Sequence, residues 1–358
     1  MTDAGGDASD RAEPVGPSAS AAGGPRVVVV GAGLSGLVAA RELVAAGADV
    51  TVVDKGRSVG GRLATRRIEG ARLDHGAQFF TVRTPAFQRR VDDWIDRGLV
   101  HVWTNGFTGD DGHPRYVATS GMNSLAKDLA DGLHVETATM VFGLRPSDGD
   151  HRWDVVIDDG TVRQADAVIF TAPLPQTFSL LADIGVWDSG NPEVDDMIDQ
   201  VVAPYGIEFE RGLFRIPYDR TIGLLVRVDG PTSVPAPGGV QEPEGIFSFI
   251  GDNQAKGVSD EPAITFHAGA EWSEEHWEDD TESLQEALLA AAEPWLGGAT
   301  VLEAQVKKWR FAMPRDVWPD PCWTTADGTV IVAGDAFAGP RVEGAHNSGL
   351  AAAHSIVG

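Results

Sequence analysis

Residues Val27-Val28-Val29-Val30 run directly into Gly31-Ala32-Gly33-Leu34-Ser35-Gly36, and no other stretch of the chain constrains the fold as tightly. Four consecutive β-branched residues predict a short strand buried on both faces, as in a parallel sheet. Leu37 to Ala46 then reads as a helix closed by Gly47, and Asp49 to Val53 as a second strand ending on Asp54. In such a βαβ unit Gly31 permits the tight turn, Gly33 lets backbone approach a pyrophosphate, and Gly36 lets helix pack close on strand. The first helical residues, Leu34 and Ser35, offer their N–H groups to phosphate at the positive end of the helix dipole. Asp54 stands 21 residues beyond Gly33, where a ribose-binding carboxylate is expected. The pattern predicts a dinucleotide site, and the acid alone serves NAD or FAD equally.

Further on the pattern is mixed. Ala86 to Arg97 carries Phe87, Val91, Trp94 and Ile95 at helical spacing. Strands are expected at Leu133 to Glu136, Trp153 to Ile157 and Ala167 to Thr171, and a second strand-rich block at Ile222 to Val228, Ile246 to Ile250, Ala263 to Ala268 and Val301 to Trp309. A helix from about Thr281 to Trp295 separates the last two. Val330 to Ala333 reads as another buried strand, followed by a helix from Gly344 to the end. Strands at both ends of the chain predict one nucleotide domain built from both termini, with a second domain inserted between them.

Composition narrows the partners. The chain has 358 residues and a formal net charge of −25, which argues against nucleic acid or an anionic membrane. The single cysteine, Cys322, excludes internal disulfides and any Cys-rich metal site and fits a reducing cytoplasm; no metal ligand set is expected. The apolar run Val27 to Ala32 is far too short to span a bilayer. Met1 to Pro25 lacks a basic n-region and an apolar h-region, and reads as a disordered acidic tail.

The stretch after the second strand separates the two nucleotides. Asp54-Lys55-Gly56-Arg57-Ser58-Val59-Gly60-Gly61-Arg62 resembles the acid-then-Gly-Gly-Arg signature of the amine-oxidase-like FAD superfamily, in which Lys55 and Gly61 border the cofactor and Arg62 would fork its diphosphate. Asp74-His75-Gly76-Ala77-Gln78-Phe79 resembles the segment beside the isoalloxazine. Gly121-Met122-Asn123-Ser124-Leu125 resembles a helix entry of the superfamily, Val141 falls at its adenine contact, and Thr171-Ala172-Pro173 matches its strand exit. Ala333-Gly334-Asp335, with Arg341-Val342-Glu343-Gly344-Ala345, resembles the closing segment, where Asp335 would bond a ribityl hydroxyl and the helix at Gly344 would face flavin N1 and C2=O. The resemblance implies an α/β fold: a Rossmann-type FAD-binding domain with an inserted mixed-sheet α+β substrate domain, in a p-hydroxybenzoate hydroxylase-like topology. It places the FAD domain at 26–82, 116–175 and 325–358, and the substrate domain at 83–115 and 176–324.

Within the superfamily the chain is most similar to the renalase group, through Gly60-Gly61-Arg62-x-Ala64-Thr65-Arg66-Arg67, Asp74-x-Gly76-Ala77-Gln78-Phe79-Phe80 and Lys308-Trp309-Arg310. That resemblance implies non-covalent FAD, dihydronicotinamide isomers of NAD(P)H as substrates, hydride transfer to flavin, and O2 as acceptor giving H2O2, in a monomer or homodimer. His75, Gln78, Trp309 and Arg310 are the residues expected beside the reacting ring. The lysine that amine oxidases hold near flavin N5 has no counterpart in Tyr218 to Val226, and Lys256 reads as a solvated loop charge. Cys322 reads as packing, too close to Gly334 for the cysteinyl flavin linkage of the family. His267 reads as a core histidine, and Glu271 to Glu286, with eight acids and no Lys or Arg, as a solvated helix face. Phe79, Phe80, Trp309 and Phe311 could wall a planar ring or form core, and His346 with Asn347 could line the site or cap the helix. Two other functions stay open: an amine or polyene oxidoreductase of the same fold, and a non-catalytic protein that escorts prenylated GTPases.

Overall fold

The computed structural model describes residues 23–181, 184, 192, 195–196 and 211–358; the expected tail falls almost wholly on residues 1–22, outside the described residues. β1 (Arg26–Val30), α1 (Leu34–Ala45) and β2 (Asp49–Val53) form the opening unit. Two hairpins follow, β3 (Thr65–Ile68) with β4 (Ala71–Asp74), then, after α2 (Pro85–Asp96), β5 (Val100–Thr104) with β6 (Arg115–Ala118). Helix α3 (Asn123–Ala130) leads to β7 (His134–Glu136), and β8 (Val141–Pro146), β9 (Trp153–Ile157) and β10 (Val162–Ala165) form a three-stranded antiparallel sheet. β11 (Ala167–Phe170) is followed by α4 (Leu174–Leu180) and α5 (Arg211–Phe214). Then come β12 (Tyr218–Asp229), β13 (Gly239–Gln241), β14 (Phe247–Asp252), β15 (Ala263–Ala268), α6 (Ala270–Glu275), α7 (Thr281–Leu296) and β16 (Thr300–Pro314). The chain closes through β17 (Trp323–Thr324), β18 (Val330–Val332) and α8 (Val342–Val357).

The main sheet runs β17-β18-β11-β1-β2-β7, so strands from both ends of the chain share it. β1 lies parallel to both β2 and β11, and both of its faces are buried. Val27 and Val29 pack into the layer of α1, α2, α3 and α8; Val28 and Val30 pack against Leu144, Val155 and Ile157 of the three-stranded sheet. A strand covered on both sides has no polar face to keep, which is why its sequence is a continuous apolar run.

The second large sheet, β13-β14-β15-β12-β16, is antiparallel and drawn entirely from residues 218–314. Ile222, Leu224 and Val226 face α7 through Leu284, Leu288 and Ala292. Between them Leu225 points the other way, onto Ile68, Ala71 and Leu73 of the β3–β4 hairpin. That small contact lays the hairpin, and the segment that leaves it at Asp74, against the sheet.

The structure adds to the sequence expectations at three points. The hairpins over 65–74 and 100–118 carry little local signal; Thr65-Arg66-Arg67-Ile68, for one, shows no polar–apolar alternation. The acidic stretch after Glu271 is two helices, divided where the Asp280 carboxylate accepts from Glu282 N and Ser283 N and starts α7. Phe80 is core, packed on Phe87, Trp94 and Tyr116, and walls no site.

Glycines set the closest approaches. A Cβ on Gly36 would run into the Gly31 carbonyl, and one on Gly349 into the carbonyl of Ser35, where α8 crosses α1. Gly349→Val should therefore lower the melting temperature of the purified protein by about 5 °C or more, since forced overpacking costs about 1–3 kcal/mol. An unchanged melting curve would show that the two helices separate freely.

Candidate active site

The loop Gly31–Gly36 turns from β1 into α1 with Gly31 at φ +113°, a conformation that needs glycine. Gly33 caps α1 without any side-chain hydrogen bond, and a Cβ built on it would meet nothing within 4 Å. The Ser35 hydroxyl, on a residue only 4% exposed, has no hydrogen-bond partner. An uncapped helix start, an orphaned hydroxyl and open space at the central glycine together fit a bound diphosphate. Asp54 holds this loop in shape: Oδ2 accepts from Ala32 N and Oδ1 from Gly56 N, each at 2.6 Å. Each oxygen keeps a lone pair for a ribose hydroxyl. Lys55 is exposed beside it, and Gly61 lies against Gly33.

Arg62 does not wait with its fork free. Its guanidinium meets the Asp335 carboxylate at 2.6 and 2.7 Å and also donates to the carbonyls of Phe311 and Ala312. The two residues expected at the diphosphate and at the ribityl chain thus hold each other. Gly334, at φ +146°, is tied to α8 by Ser348 Oγ. Glu343 is turned elsewhere: its Oε1 accepts from Arg83 N, Thr84 N and Thr84 Oγ1, which docks the start of α2 on α8. Gly344 sits tight under the Gly339 carbonyl, Ala345 follows it half-buried, and Val141 is buried in the core beyond β2. His346 is buried against Phe87, and Asn347 donates to Thr84 Oγ1.

The segment Asp74–Phe79 is the most heavily bonded irregular stretch of the site. Asp74 is fully buried; Oδ1 accepts from Thr65 Oγ1 at 2.6 Å and Met122 N at 2.8 Å. Its N–H donates to Asn253, and its carbonyl accepts from Thr265 Oγ1 and Gln78 Nε2. The next carbonyl, of His75, accepts from Trp309 Nε1 at 2.7 Å and lies 3.2 Å from His267 Nε2. Gly76 and Ala77 follow with Gly76 pressed on the Arg62 carbonyl, to which Ala77 N donates at 2.8 Å. Side chains from the antiparallel sheet therefore fix the backbone of a segment that belongs to the other layer.

Lys256 is not the solvated loop charge that the sequence suggests. It is 1% exposed, its Nζ donates to Gln78 Oε1 at 3.2 Å, and it lies 3.5 Å from Asp74 Oδ2, an oxygen with no other partner. Burial pushes the Lys256 pKa down while Asp74 pulls it back up. Asn253, Thr265 and Lys256 carried no signal in the sequence, because each partner lies about 180 residues away.

The expected wall of Gln78, Phe79, Trp309 and Arg310 is divided. Gln78 is buried beneath the segment, and Phe79 joins Trp103, Phe107 and Phe249 in an aromatic cluster. Trp309 stacks on His75 with ring centres 5.3 Å apart. Arg310, next along β16, points to the opposite side, into a separate cavity. His75 is held neutral: burial, then Lys307, His267 and Arg66, lower its pKa to about 4. Arg66 donates to Gln305, and neither it nor Lys307 has a carboxylate partner among the described residues. No group of three or more His, Cys, Asp or Glu there could hold a metal, and no helix there is long and apolar enough to cross a membrane.

Comparison with known proteins agrees with this architecture. The model of a NAD(P)-binding Rossmann-like domain matches residues 29–97, and that of the flavin-containing amine oxidoreductases matches residues 98–357. The chain belongs to the flavin-containing amine oxidoreductase family, and its cofactor is FAD. Mouse renalase is 31% identical over 172 residues, covering 44% of this chain and 50% of renalase. Putrescine oxidase of Kocuria rosea is 51% identical over 67 residues, 19% of this chain and 14% of that one. Each match thus spans half or less of the relative's length. Among solved structures, a putrescine oxidase variant superposes with a TM-score of 0.64 at 15% identity over 93% of this chain and 98% of the other. An oxidoreductase of Methanosarcina mazei gives 0.59 at 16%, over 91% and 99%. These share the fold.

Two outcomes follow. Gly33→Val places a branched side chain in the open space at the helix start and should yield folded protein without the yellow cofactor, read from absorbance after gel filtration. Lys256→Met leaves the Asp74 carboxylate buried without a counter-charge and should destabilise the protein by about 3–5 kcal/mol. In the Lys256→Met/Asp74→Asn double variant much of that loss should return; two additive losses would show that the pair is not coupled.

Proposed function

We propose that the protein oxidises dihydronicotinamide isomers of NAD(P)H, with O2 as electron acceptor and H2O2 as product. When bound, FAD supplies the two-electron acceptor. The α1 start, Asp54 and Asp335 would hold it, and Gly76 to Gln78 would lie along its ring system.

The observation that carries this reading is the sign of the charges beside the Asp74–Phe79 segment. His75 is neutral, and Lys307 and Arg66 are cations without carboxylate partners among the described residues. Such a field repels an ammonium substrate and draws in a phosphate-bearing one, although the chain as a whole carries −25. The one buried lysine, Lys256, is engaged by Asp74 and Gln78 beneath the segment and is not presented as a base. Hydride transfer needs none: the chain's task is to hold a flat ring at the right distance and orientation, which the rigid Trp309–His75 stack suits. The similarity to renalase points the same way.

The family model and the putrescine oxidase match favour a second reading, oxidation of an amine. Anaerobic mixing decides between them. The 2- and 6-dihydro isomers should bleach the flavin band quickly, and benzylamine, putrescine and ordinary 4-dihydro NAD(P)H should leave it nearly intact. Bleaching by the amines alone would replace the first reading with the second.

The same step should be insensitive to pH. Because the His75 pKa is lowered to about 4, the ring stays neutral as pH rises from there, so the reductive rate should be flat between about pH 6 and pH 9. His75→Ala should change it less than about threefold. A tenfold rise through the ordinary histidine range would mark His75 as a titrating participant.

A further inference from the structure

A cavity of about 390 Å³ opens where the start of β12 meets the end of β16, lined by Pro217, Tyr218, Arg220, Glu274, Arg310, Phe311 and Arg315. It is within the size range of small-molecule sites. Two of its arginines are neutralised: Arg220 by Glu274 at 3.3 Å and Arg315 by Asp219 at 2.6 Å. Arg310 has no carboxylate partner among the described residues; its guanidinium lies 5.7 Å from the centre of the Phe311 ring. Three guanidinium groups against two carboxylates leave the cavity one positive charge in excess, in a chain with 53 acids to 28 bases. Arg310 is exposed, so its charge is solvated in the free protein and stays available to an anion that enters the cavity.

The cavity also touches the cofactor region. Tyr218 packs edge-on to Phe311 at 5.8 Å, and its hydroxyl accepts from Leu174 N, just past the end of β11. The carbonyl of Phe311 accepts from Arg62, which also donates to the Ala312 carbonyl and pairs with Asp335. One aromatic residue thus forms a wall of the cavity and a backbone anchor of the residues at the FAD site. An anion held at Arg310, with its attached ring or ribose against Phe311 and Tyr218, would lie toward the Arg62–Asp335 pair.

We propose that this cavity is an anion subsite, in which Arg310, flanked by Arg220 and Arg315, binds the phosphate of a nucleotide-bearing substrate. The identity of that substrate rests on the function proposed above; the subsite itself does not. Arg310 is then a specificity residue, remote from the Trp309 stack, that separates phosphorylated from unphosphorylated substrates.

The test uses FAD-loaded protein, wild type and Arg310→Gln. Anaerobic flavin reduction is followed with the 6-dihydro isomers of nicotinamide mononucleotide and nicotinamide riboside, which differ by one phosphate. The variant should raise the half-saturating concentration of the mononucleotide about tenfold, as expected for loss of a charge-assisted hydrogen bond, with the limiting rate kept. The riboside should behave alike in both proteins. Equal effects on the two substrates, or none on either, would overturn the proposal. Calorimetric titration with inorganic pyrophosphate gives a second readout that needs no turnover: binding to wild type should be lost in Arg310→Gln. If neither isomer bleaches the flavin but pyrophosphate binding depends on Arg310, the proposed substrate is wrong and the subsite stands. If pyrophosphate binds both proteins equally, or neither, the subsite is wrong whatever the substrate.

Discussion

A carboxylate with no access to water has to be satisfied from within, and Asp74 sets that condition for the whole site. Its Oδ1 takes Thr65 and the start of α3; its main chain takes Asn253, Thr265 and Gln78; its Oδ2 faces Lys256. These partners come from the β3–β4 hairpin, from α3 and from the antiparallel sheet. An unpaired charge at this depth would cost several kcal/mol, so the layers cannot shift without breaking the set. The backbone of His75 to Gln78 inherits that rigidity. A site that works by alignment gains most from a segment that cannot move.

The Gly31–Gly36 loop shows the complementary device, in which space is kept by omission. Gly36 and Gly349 let helix, strand and helix approach until a methyl group would collide with a carbonyl. Gly33 does the opposite and leaves a hollow at an uncapped helix start. Close packing on one side holds the helix N-terminus still, and the hollow on the other leaves its N–H groups available to an anion. The Arg62–Asp335 pair gives the far end of the groove a second fixed point, though one that engages the very groups a cofactor would use. Any ligand that draws on both must meet them as a pair or compete with their mutual bonds.

What the sequence reveals follows from the range of the interactions. The β1–α1–β2 unit is written in adjacent residues: a run buried on both faces, a turn that needs glycine, an acid at the end of the next strand. The apolar periods of α2 and α7 are local in the same way. Lys256 is not. Read in its own loop it is a charge between Ala255 and Gly257, and nothing nearby announces a buried aspartate 182 positions earlier. The division of Trp309 from Arg310 was hidden for a simpler reason. Adjacent residues on a strand point to opposite faces, and a motif read as one patch becomes two sites once β16 is known to be extended.

That alternation also explains how an acidic protein can present cations on both faces of one strand. Along β16, Gln305 contacts Arg66 and Trp309 contacts His75, with Lys307 between them on the same face. Lys308 turns away and donates to the carbonyls of Trp277 and Asp279, and Arg310 lines the cavity on that other side. Each face thus receives its own positive charge from a run of three basic residues in four. Acids at the start of α7 lie elsewhere, and the two acids beside the Arg310 cavity are taken up in the pairs Asp219–Arg315 and Glu274–Arg220. Screening limits their reach to about 8 Å at physiological ionic strength. Within that distance the local cations set the field, and the −25 of the whole chain becomes a distant background.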